Sequence, residues 1–470
     1  MKPLGTFLYS ALTIALLGGC SFIPDYHRPD NWKSGVFKED GPWRLVHPAD
    51  AESRGDWWTY FNDATLNQME KELNSDNFVI QEALERYDQA TAFLTQQDAQ
   101  LYPQINFMGD VTTNRQSAHR LYRNGNQANV NGDTIGGIGF VYEIDFWGAI
   151  RSAIASAEAS AQASKADIES ARLSLEALLA SDYVKLRGLD SEIGLLEVTV
   201  KDYEHELELM QQRHDVGITS GLDVARSKAL LEETRAQVAK TVGARALYEH
   251  SIAVLLGREP STFTLKADTE WIYHAQYAAI PKVIPSEVLQ RRPDIAAAER
   301  NIVAANDQVG VARTAFFPTI SLMALAGFEN NGYGALATAP NSFWSLGPLA
   351  FYNIFDAGLR QAVVDQATSK TRQQTDKYRQ TVLIAFREVE DSLSQINNLG
   401  IDDVYQKLAV ESARRTFDLA NHRYIEGASN YLDVIDAEAV RLRTEREEIY
   451  VRTALNQSVV DLVRSIGGSW

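Results

Sequence analysis

Two carboxylates spaced three residues apart are the most suggestive chemical feature of this 470-residue sequence. Asp433 and Asp436 follow a turn centred on Gly427, at the start of a segment with helical apolar periodicity. Residues three apart share one face of a helix, so the two carboxylates would lie side by side. Carboxylates repeated around a symmetry axis form rings that select cations in pores. A plain solvated helix start is the alternative, because the helix dipole alone favours acids there.

Enzyme chemistry finds little support in the same sequence. It contains no GxxxxGK[ST] pattern, so nucleotide hydrolysis through that phosphate-binding loop is excluded. His205 and Glu206 begin a zinc-binding HExxH motif, but Leu209 stands where the second histidine is required. We therefore predict that the protein is not an enzyme and that it holds no metal ion and no cofactor.

Composition narrows the class of partner. The chain carries 45 basic and 62 acidic residues, a net charge of −17, and no basic stripe that could face phosphates. We predict that it binds no nucleic acid. With 45% apolar residues it can bury one large core or several. Cys20 is the only cysteine, which excludes an internal disulfide framework and a cysteine-based zinc site.

Cys20 stands at the end of a segment that has the features of a targeting signal. An apolar run from Leu4 to Leu17, too short to span a bilayer comfortably, leads into Gly18-Gly19-Cys20, so residues 1–19 are predicted to be a signal peptide. The sequence before the cysteine is similar to a bacterial lipobox, in which Cys20 becomes the acylated first residue. An ordinary signal peptide with an incidental cysteine is the alternative. More than one acyl chain would make the membrane anchor stable.

The turn that precedes the two carboxylates has a near-copy earlier in the chain. The stretch 423–434 reads RYIEGASNYLDV and the stretch 213–224 reads RHDVGITSGLDV, a constant offset of 210 residues (423 against 213). Each is a reversal between long apolar-periodic segments, so each is predicted to be the tip of a helical hairpin and the chain to be internally duplicated. The glycines of these tips have turn chemistry as their simplest role; they are Gly217, Gly221 and Gly427.

Periodicity predicts the elements that position the tips. Helices are expected over 66–97, 148–213, 222–256, 285–313, 359–423 and 431–466. From Leu186 to Met210 apolar residues recur at alternating spacings of three and four, which indicates a coiled-coil seam. At about 1.5 Å per residue, the proline-free segment 148–213 would be roughly 100 Å long.

Four segments have the alternation of membrane-barrel strands, apolar on one face and mostly small or polar on the other. They are expected at 101–113, at 138–146, at 320–328 and after a loop at 329–342, the last strand including Tyr352 and Ile354. The polar segment 114–133 is predicted to be an extracellular loop.

These elements predict a division into a signal peptide (1–19), a lipid-anchored tether (20–64), a first repeat (65–284) and a second repeat (285–470). Each repeat would contain a helix, two strands, a long helix, a tip and a helix. Four strands cannot close a barrel, which needs about eight, and open edges in lipid cost several kcal/mol per unpaired group. Other copies of the chain must complete the barrel, and the charged helices must extend into water as a tunnel.

Short motifs along the whole chain point to one family. In order they are Cys20-Ser21, Ile23-Pro24-Asp25-Tyr26, Arg28-Pro29, Trp57-Trp58, Phe61, Asp63, Leu66, Tyr102-Pro103-Gln104, Leu255-Leu256-Gly257, Arg291-Arg292-Pro293-Asp294-Ile295, Ala298-Glu299, the stretch 317–322 and the stretch 423–437. With the duplication, this set resembles the TolC family of outer-membrane efflux ducts, in particular the OprM-like lipoprotein branch.

The resemblance implies a mostly α-helical fold with a membrane β-barrel. Four strands per protomer would complete a shared twelve-stranded barrel in a homotrimer, and long coiled-coil helices would form a periplasmic α-barrel. It also implies a lipid-anchored location in the outer membrane of a Gram-negative bacterium, extending into the periplasm. The implied partners are a periplasmic adaptor (membrane fusion) protein and an inner-membrane resistance-nodulation-division transporter.

The resemblance assigns roles to residues of the second tip. Asp433 and Asp436 would form the entrance selectivity ring, Leu432 would be a hydrophobic gate, and Arg423 and Tyr424 would make contacts that hold the closed state.

Ser429 departs from the pattern of some relatives, and Arg226 makes the first tip different from the second. Ser429 stands where some relatives have an arginine, so a salt-bridge lock built on that arginine is absent or different here. Adaptors would grip the tips at Gly217, Gly221 and Gly427. The first tip has Arg226 in place of the second acid, so we expect it to face the adaptor or to be the partner in the lock.

The predicted function is a passive duct that carries drugs or toxic small molecules from an inner-membrane pump to the cell exterior. A duct of a type I protein secretion system or of a copper or silver efflux system is the nearer alternative. A non-conducting coiled-coil lipoprotein scaffold is the remote one, and the predicted strands count against it. The sequence names no substrate.

Overall fold

The computed structural model of the protein describes residues 21–27, 55–115, 117, 119, 130–274, 291–332 and 334–468. The helices are α1 (Ala64–Asp76), α2 (Phe78–Asp98), α3 (Ala149–Asp215), α4 (Gly221–Leu255), α5 (Pro293–Thr314), α6 (Leu359–Ile425) and α7 (Tyr431–Ser465). The strands are β1 (Gln104–Arg115), β2 (Val130–Glu143), β3 (Thr319–Asn330) and β4 (Ser342–Phe351). Cys20 and the predicted signal peptide lie outside the described residues.

The internal duplication is confirmed at the level of whole helices. Helices α3 and α6 each contain 67 residues, and α4 and α7 each contain 35. Their first residues, Ala149 and Leu359 for one pair and Gly221 and Tyr431 for the other, are 210 positions apart (359 − 149 and 431 − 221). The two halves of the chain therefore build the same long hairpin twice.

The chain forms two compact units, and each draws on both halves. The first comprises the described residues within 1–30, 86–164 and 298–378, and the second those within 31–85, 165–297 and 379–470. These units are not the two sequence repeats, whose predicted boundaries stay a prediction.

The first unit contains one antiparallel sheet in the order β1-β2-β3-β4. Within the described residues, β1 and β4 are its edges. Both edges carry large apolar side chains that this chain leaves exposed: Phe107 on β1 is 81% exposed and Trp344 on β4 is 79% exposed. At the centre, a methyl group on Gly137 would lie 2.8 Å from the Ala326 carbonyl oxygen, so this strand pairing requires glycine.

All four strands differ from their predicted limits, and β2 and β4 differ most. Strand β2 begins at Val130 inside the expected loop, and β4 ends at Phe351, so Tyr352 and Ile354 lie beyond it. The alternating pattern continues for a few residues into the segments that lead to the long helices. Before α3 such a segment ends at Asp145, whose carboxylate accepts hydrogen bonds from the backbone N–H groups of residues 150 and 151.

The helix expected over 66–97 is broken at Asn77, which has an extended backbone. Its Oδ1 accepts from the N–H of Val79 (2.8 Å) and Ile80 (3.2 Å), and its Nδ2 donates to the carbonyl of Leu255 (2.7 Å). One side chain thus caps α2 and holds it to α4. The apolar period continues across the break, although Leu84 is exposed.

The helix expected over 285–313 begins, in the described residues, at Pro293. Residues 285–290 lie outside the described part of the chain. Pro293 occupies the first helical position, where its missing N–H is not needed and its fixed φ suits the helix.

The second unit contains a large core. The 3₁₀ helix Trp57–Phe61, the last part of the segment predicted as a tether, is buried in it beside α1, α3, α4 and α7. Asp63 links parts of this core that are distant in sequence. Its Oδ2 accepts hydrogen bonds from the hydroxyl of Tyr183 (2.6 Å) and the indole N–H of Trp271 (2.7 Å). Among the described residues, no helix has both the length and the apolar character needed to cross a membrane.

Candidate functional site: the helical tips

The two predicted tips have the same backbone. The turn after α3 places Gly217 at φ 77°, and the turn after α6 places Gly427 at φ 73°, conformations that favour glycine. Gly217 N donates to the carbonyl of residue 214 (2.9 Å) and Gly427 N to that of residue 424 (3.0 Å). The next N–H of each turn bonds one residue further back, at 2.8 Å in both copies. The same pair of backbone hydrogen bonds therefore ends both helices.

Gly221, the third predicted tip glycine, has a different position. It is the first residue of α4, and a methyl group there would meet His214 only at an ordinary distance of 3.6 Å. The equivalent residue of the second copy is Tyr431. Turn geometry therefore requires glycine at Gly217 and Gly427 but not at Gly221.

Equivalent caps start the helices that leave the tips. The side chains of Ser220 and Asn430 accept hydrogen bonds from the N–H groups of Asp223 (3.3 Å) and Asp433 (3.1 Å). This local bond fixes each aspartate in the first turn of its helix, where the positive end of the helix dipole stabilises a carboxylate.

Three of the predicted site residues lie together on the outside of α7. Asp433, Asp436 and Leu432, which is 38% exposed, lie on the exposed side of its first two turns. The neighbouring positions Tyr431 and Val434 are buried. The sequence thus builds a helix start with one packed face and one free face that bears two acids and a leucine.

The two tips differ in charge. Asp223 lies 3.9 Å from Arg226 and accepts a hydrogen bond from Ser220 Oγ at 2.8 Å. Asp433 and Asp436 have no ion-pair partner within the described part of the chain. Of the two equivalent aspartates, Asp223 and Asp433, only the one on the second tip therefore lacks a cationic partner in the described residues.

Arg423 and Tyr424, predicted to act together, point to different contacts. Arg423 is exposed, and within the described residues its Nη2 reaches only the carbonyl of Ala428 in its own turn, at 3.4 Å. The hydroxyl of Tyr424 accepts from Nη1 of Arg213 at 3.0 Å, and the Arg213 guanidinium lies 5.5 Å from the Tyr424 ring centroid. Arg213 connects the first tip to the second, and nothing in the sequence distinguishes it from its repeat partner Arg423.

Tyr431 is the second residue that sequence reasoning missed. It is buried with Met210 and Val434, and its ring centroid lies 5.5 Å from that of Tyr424. Its hydroxyl is 2.6 Å from Ser227 Oγ on α4. The signal was available, because a tyrosine beside the proposed gate replaces a glycine of the first copy.

The site contains nothing that suggests metal chemistry. In the described residues, no group of three or more histidine, cysteine, aspartate and glutamate side chains could hold a metal ion.

Known proteins are similar to this chain both in sequence and in fold. The family model for outer membrane efflux proteins matches residues 71–258 and 284–468. The probable efflux pump outer membrane protein TtgC of Pseudomonas putida is 29% identical over 470 residues, covering 99% of this chain and 96% of that protein. The cation efflux system protein CusC of Escherichia coli is 27% identical over 465 residues, covering 97% and 96%.

A solved structure agrees. The outer-membrane channel OprN matches with a TM-score of 0.83 at 28% identity, over 96% of this chain and 100% of that one. The chain therefore belongs to the outer membrane efflux protein family, as an outer-membrane channel of the TolC type that its motifs indicated.

Proposed function

We propose that three copies of this chain form a passive efflux duct whose periplasmic entrance is made by Leu432, Asp433 and Asp436. The observation that carries this proposal is the free face of α7, where two acids without partners lie beside an exposed leucine. In a trimer, the acids would form two stacked rings that favour cations, and the leucines would narrow the closed pore. The duct would have no catalytic activity.

The sheet supports completion by other copies. Its two edge strands bear exposed apolar side chains, and unpaired strand edges are not tolerated in lipid. Joining β4 of one copy to β1 of the next would pair both edges, and three copies of four strands give twelve strands. A scaffold without a pore has no need for such a sheet.

The contacts of residues 22–24 support a lipid anchor beside the sheet. Asn306 Nδ2 donates to the carbonyl of Pro24 (2.8 Å), and a methyl group on Gly310 would lie 2.7 Å from Ile23. The ring of Phe22 stacks on Phe317 (4.6 Å), next to the start of β3. Aromatic side chains favour the membrane interface, so an acylated Cys20, the only covalent group that we propose, would enter the membrane at this point.

The closed state needs a lock other than the one implied for relatives with an arginine two residues after the tip glycine. Ser429 has that position, and its hydroxyl is buried without a hydrogen-bond partner in the described residues. The bond from Arg213 to Tyr424 supports a replacement lock within one protomer. The tips at Gly217, Gly221 and Gly427 would remain available to a periplasmic adaptor.

The names of relatives support small toxic molecules as cargo. Relatives are named as efflux pump components for toluene and for antibiotics, and CusC is named as a cation efflux protein. An adaptor and an inner-membrane transporter would deliver the cargo. Metal-ion efflux, such as copper or silver, remains the second candidate because of the likeness to CusC.

Conductance in planar bilayers tests the entrance. We expect the wild type to form a small cation-selective pore and Asp433→Asn/Asp436→Asn to lose most of that selectivity. Asp223→Asn, at the equivalent position of the first tip, is the matched control and should change little. A cation-selective pore that is unaffected by the double substitution would move the filter elsewhere.

A further inference from the structure

A second set of acids lies behind the proposed entrance, on the packed face of α7. Glu438 is only 3% exposed, and Nη2 of Arg441 donates to its Oε1 at 3.1 Å. The carboxyl groups of Glu206 and Asp202 face it from α3. Three acids thus share one nearby guanidinium, which also lies over the ring of Phe417 on α6 (4.4 Å).

Tyr431 links these acids to the first residue of α7. Its hydroxyl lies 2.6 Å from Ser227 Oγ on α4, and the phenol also interacts with the Glu206 carboxyl on α3. Both Tyr431 and Ser227 are buried. A single phenol therefore ties the start of α7, immediately before Leu432, to both helices of the first hairpin.

The groups that face this cluster come from every packed helix. Helix α3 presents Asp202, Tyr203 and Glu206, and α4 presents Ser227. Helix α6 presents Phe417 and Tyr424, and α7 presents Tyr431, Glu438 and Arg441. Arg441 is the one cation among these named groups. It cannot neutralise both the buried carboxylate of Glu438 and the half-buried one of Glu206, so the arrangement is favourable when a proton is bound between them.

The ionisation of the acids agrees with this geometry. Burial, followed by the Glu206 carboxyl, raises the pKa of Glu438 to about 7, against the opposing effect of Arg441. Burial also raises the pKa of Glu206, while the nearby Tyr431 hydroxyl lowers it. Because the two acids interact, the proton belongs to the pair.

We propose that Tyr431, Glu206 and Glu438 form a proton-dependent latch that positions the entrance residues. With the proton bound, the latch holds the first turn of α7 against α3 and α4. When the proton leaves to solvent, the two carboxylates repel and the start of α7 is released. This inference rests on the proposed role of Leu432, Asp433 and Asp436, since it describes how that face is held.

The direction of the pH effect follows from the raised pKa. A carboxyl group with a raised pKa favours the packed state below its ordinary pKa and progressively loses that contribution as the pH rises through about 7. Release of one proton changes the opening equilibrium by at most about tenfold per pH unit. The entrance should therefore open more readily at alkaline pH.

Two measurements on the purified full-length oligomer test the latch. The first is hydrogen–deuterium exchange of the segment 423–438, comparing wild type with Glu438→Gln at matched pH so that intrinsic exchange rates cancel. The second is the open probability in planar bilayers from about pH 5.5 to 8.5. Glu208→Gln, exposed on α3 two residues from Glu206, is the matched control.

We expect the wild-type segment to exchange faster than that of Glu438→Gln above about pH 7 and equally below about pH 5.5. Open probability should rise with pH in the wild type and in Glu208→Gln, and stay low in Glu438→Gln. Tyr431→Phe should open more at every pH. If exchange in wild type and Glu438→Gln agrees at all pH values, the latch is wrong. If exchange changes with pH while conductance does not, the latch stands and the proposed entrance is overturned.

Discussion

The hydroxyl of Tyr424, at the end of α6, accepts a hydrogen bond from Nη1 of Arg213, at the end of α3, with the atoms 3.0 Å apart. The same guanidinium lies near the face of the tyrosine ring, so a charge-assisted bond and a cation–π contact join the same two side chains. Both residues immediately precede the turns of their hairpins. Together with the contact between Tyr431 and Ser227, this pair joins the two hairpins of one chain through polar groups.

Removing this contact should make the closed state less stable. Tyr424→Phe keeps the ring and loses the bond, which is worth about 1 kcal/mol, or roughly a fivefold change in the opening equilibrium. Single-channel recording would show a higher open probability. Arg213→Ala should have a similar effect, and the double variant should add little to either. Arg423→Ala is the control, and an equally large effect there would contradict the assignment.

Leu432→Ala should open the resting channel. A leucine that contacts its symmetry mates in a hydrophobic constriction contributes about 1.5–3 kcal/mol, so the closed state should lose roughly ten- to a hundredfold in population. Leu222→Ala is a matched control, because Leu222 has the same position on α4 and is also exposed. Comparable leak currents from both variants would show that the gate is not specific to the second tip.

Glu70→Gln should stabilise the protein at neutral pH. Glu70 is fully buried, and both its carboxyl oxygens lack hydrogen-bond partners in the described residues. Burial, followed by the Glu176 carboxyl, raises the pKa of Glu70 well above its ordinary value. The wild type must therefore lose stability as the pH rises, because ionising this group in the folded state is unfavourable.

Thermal unfolding of the detergent-solubilised protein measures this effect. We expect Glu70→Gln to gain roughly 1–3 kcal/mol near pH 8 and to match the wild type near pH 4. Glu85→Gln, exposed on α2, should behave like the wild type at both pH values. A gain that is independent of pH would mean that packing rather than ionisation is responsible.

Much of the fold could be predicted because the repeat and the periodicities are strong local signals. The offset between Gly217 and Gly427 predicted two equivalent tips, and both glycines have the positive φ that such turns need. The break at Asn77 was missed because the apolar period runs through it. Its cause is partly remote, since Asn77 also bonds to Leu255, which is 178 residues away.

The tip contacts show where sequence reasoning ends. Arg213 and Arg423 are equivalent in the repeat, yet only Arg213 meets an aromatic ring. That choice depends on how two hairpins pack, which no spacing within one hairpin reveals. Glu438 likewise belongs to an ordinary helical pattern, and its burial beside Glu206 appears only in three dimensions. The roles assigned to Leu432, Asp433 and Asp436 stay predictions.

The equivalence of the two tips in backbone and their difference in charge have a consequence for symmetry. A trimer would present six hairpin ends with the same turn, three with a neutralised aspartate and three with free acids. A partner that recognises only the turn backbone would find six equivalent places around the rim. A partner that recognises charge would find three. Because of the internal duplication, the turn backbone would repeat six times around the rim of a trimer, and the free acids would repeat three times.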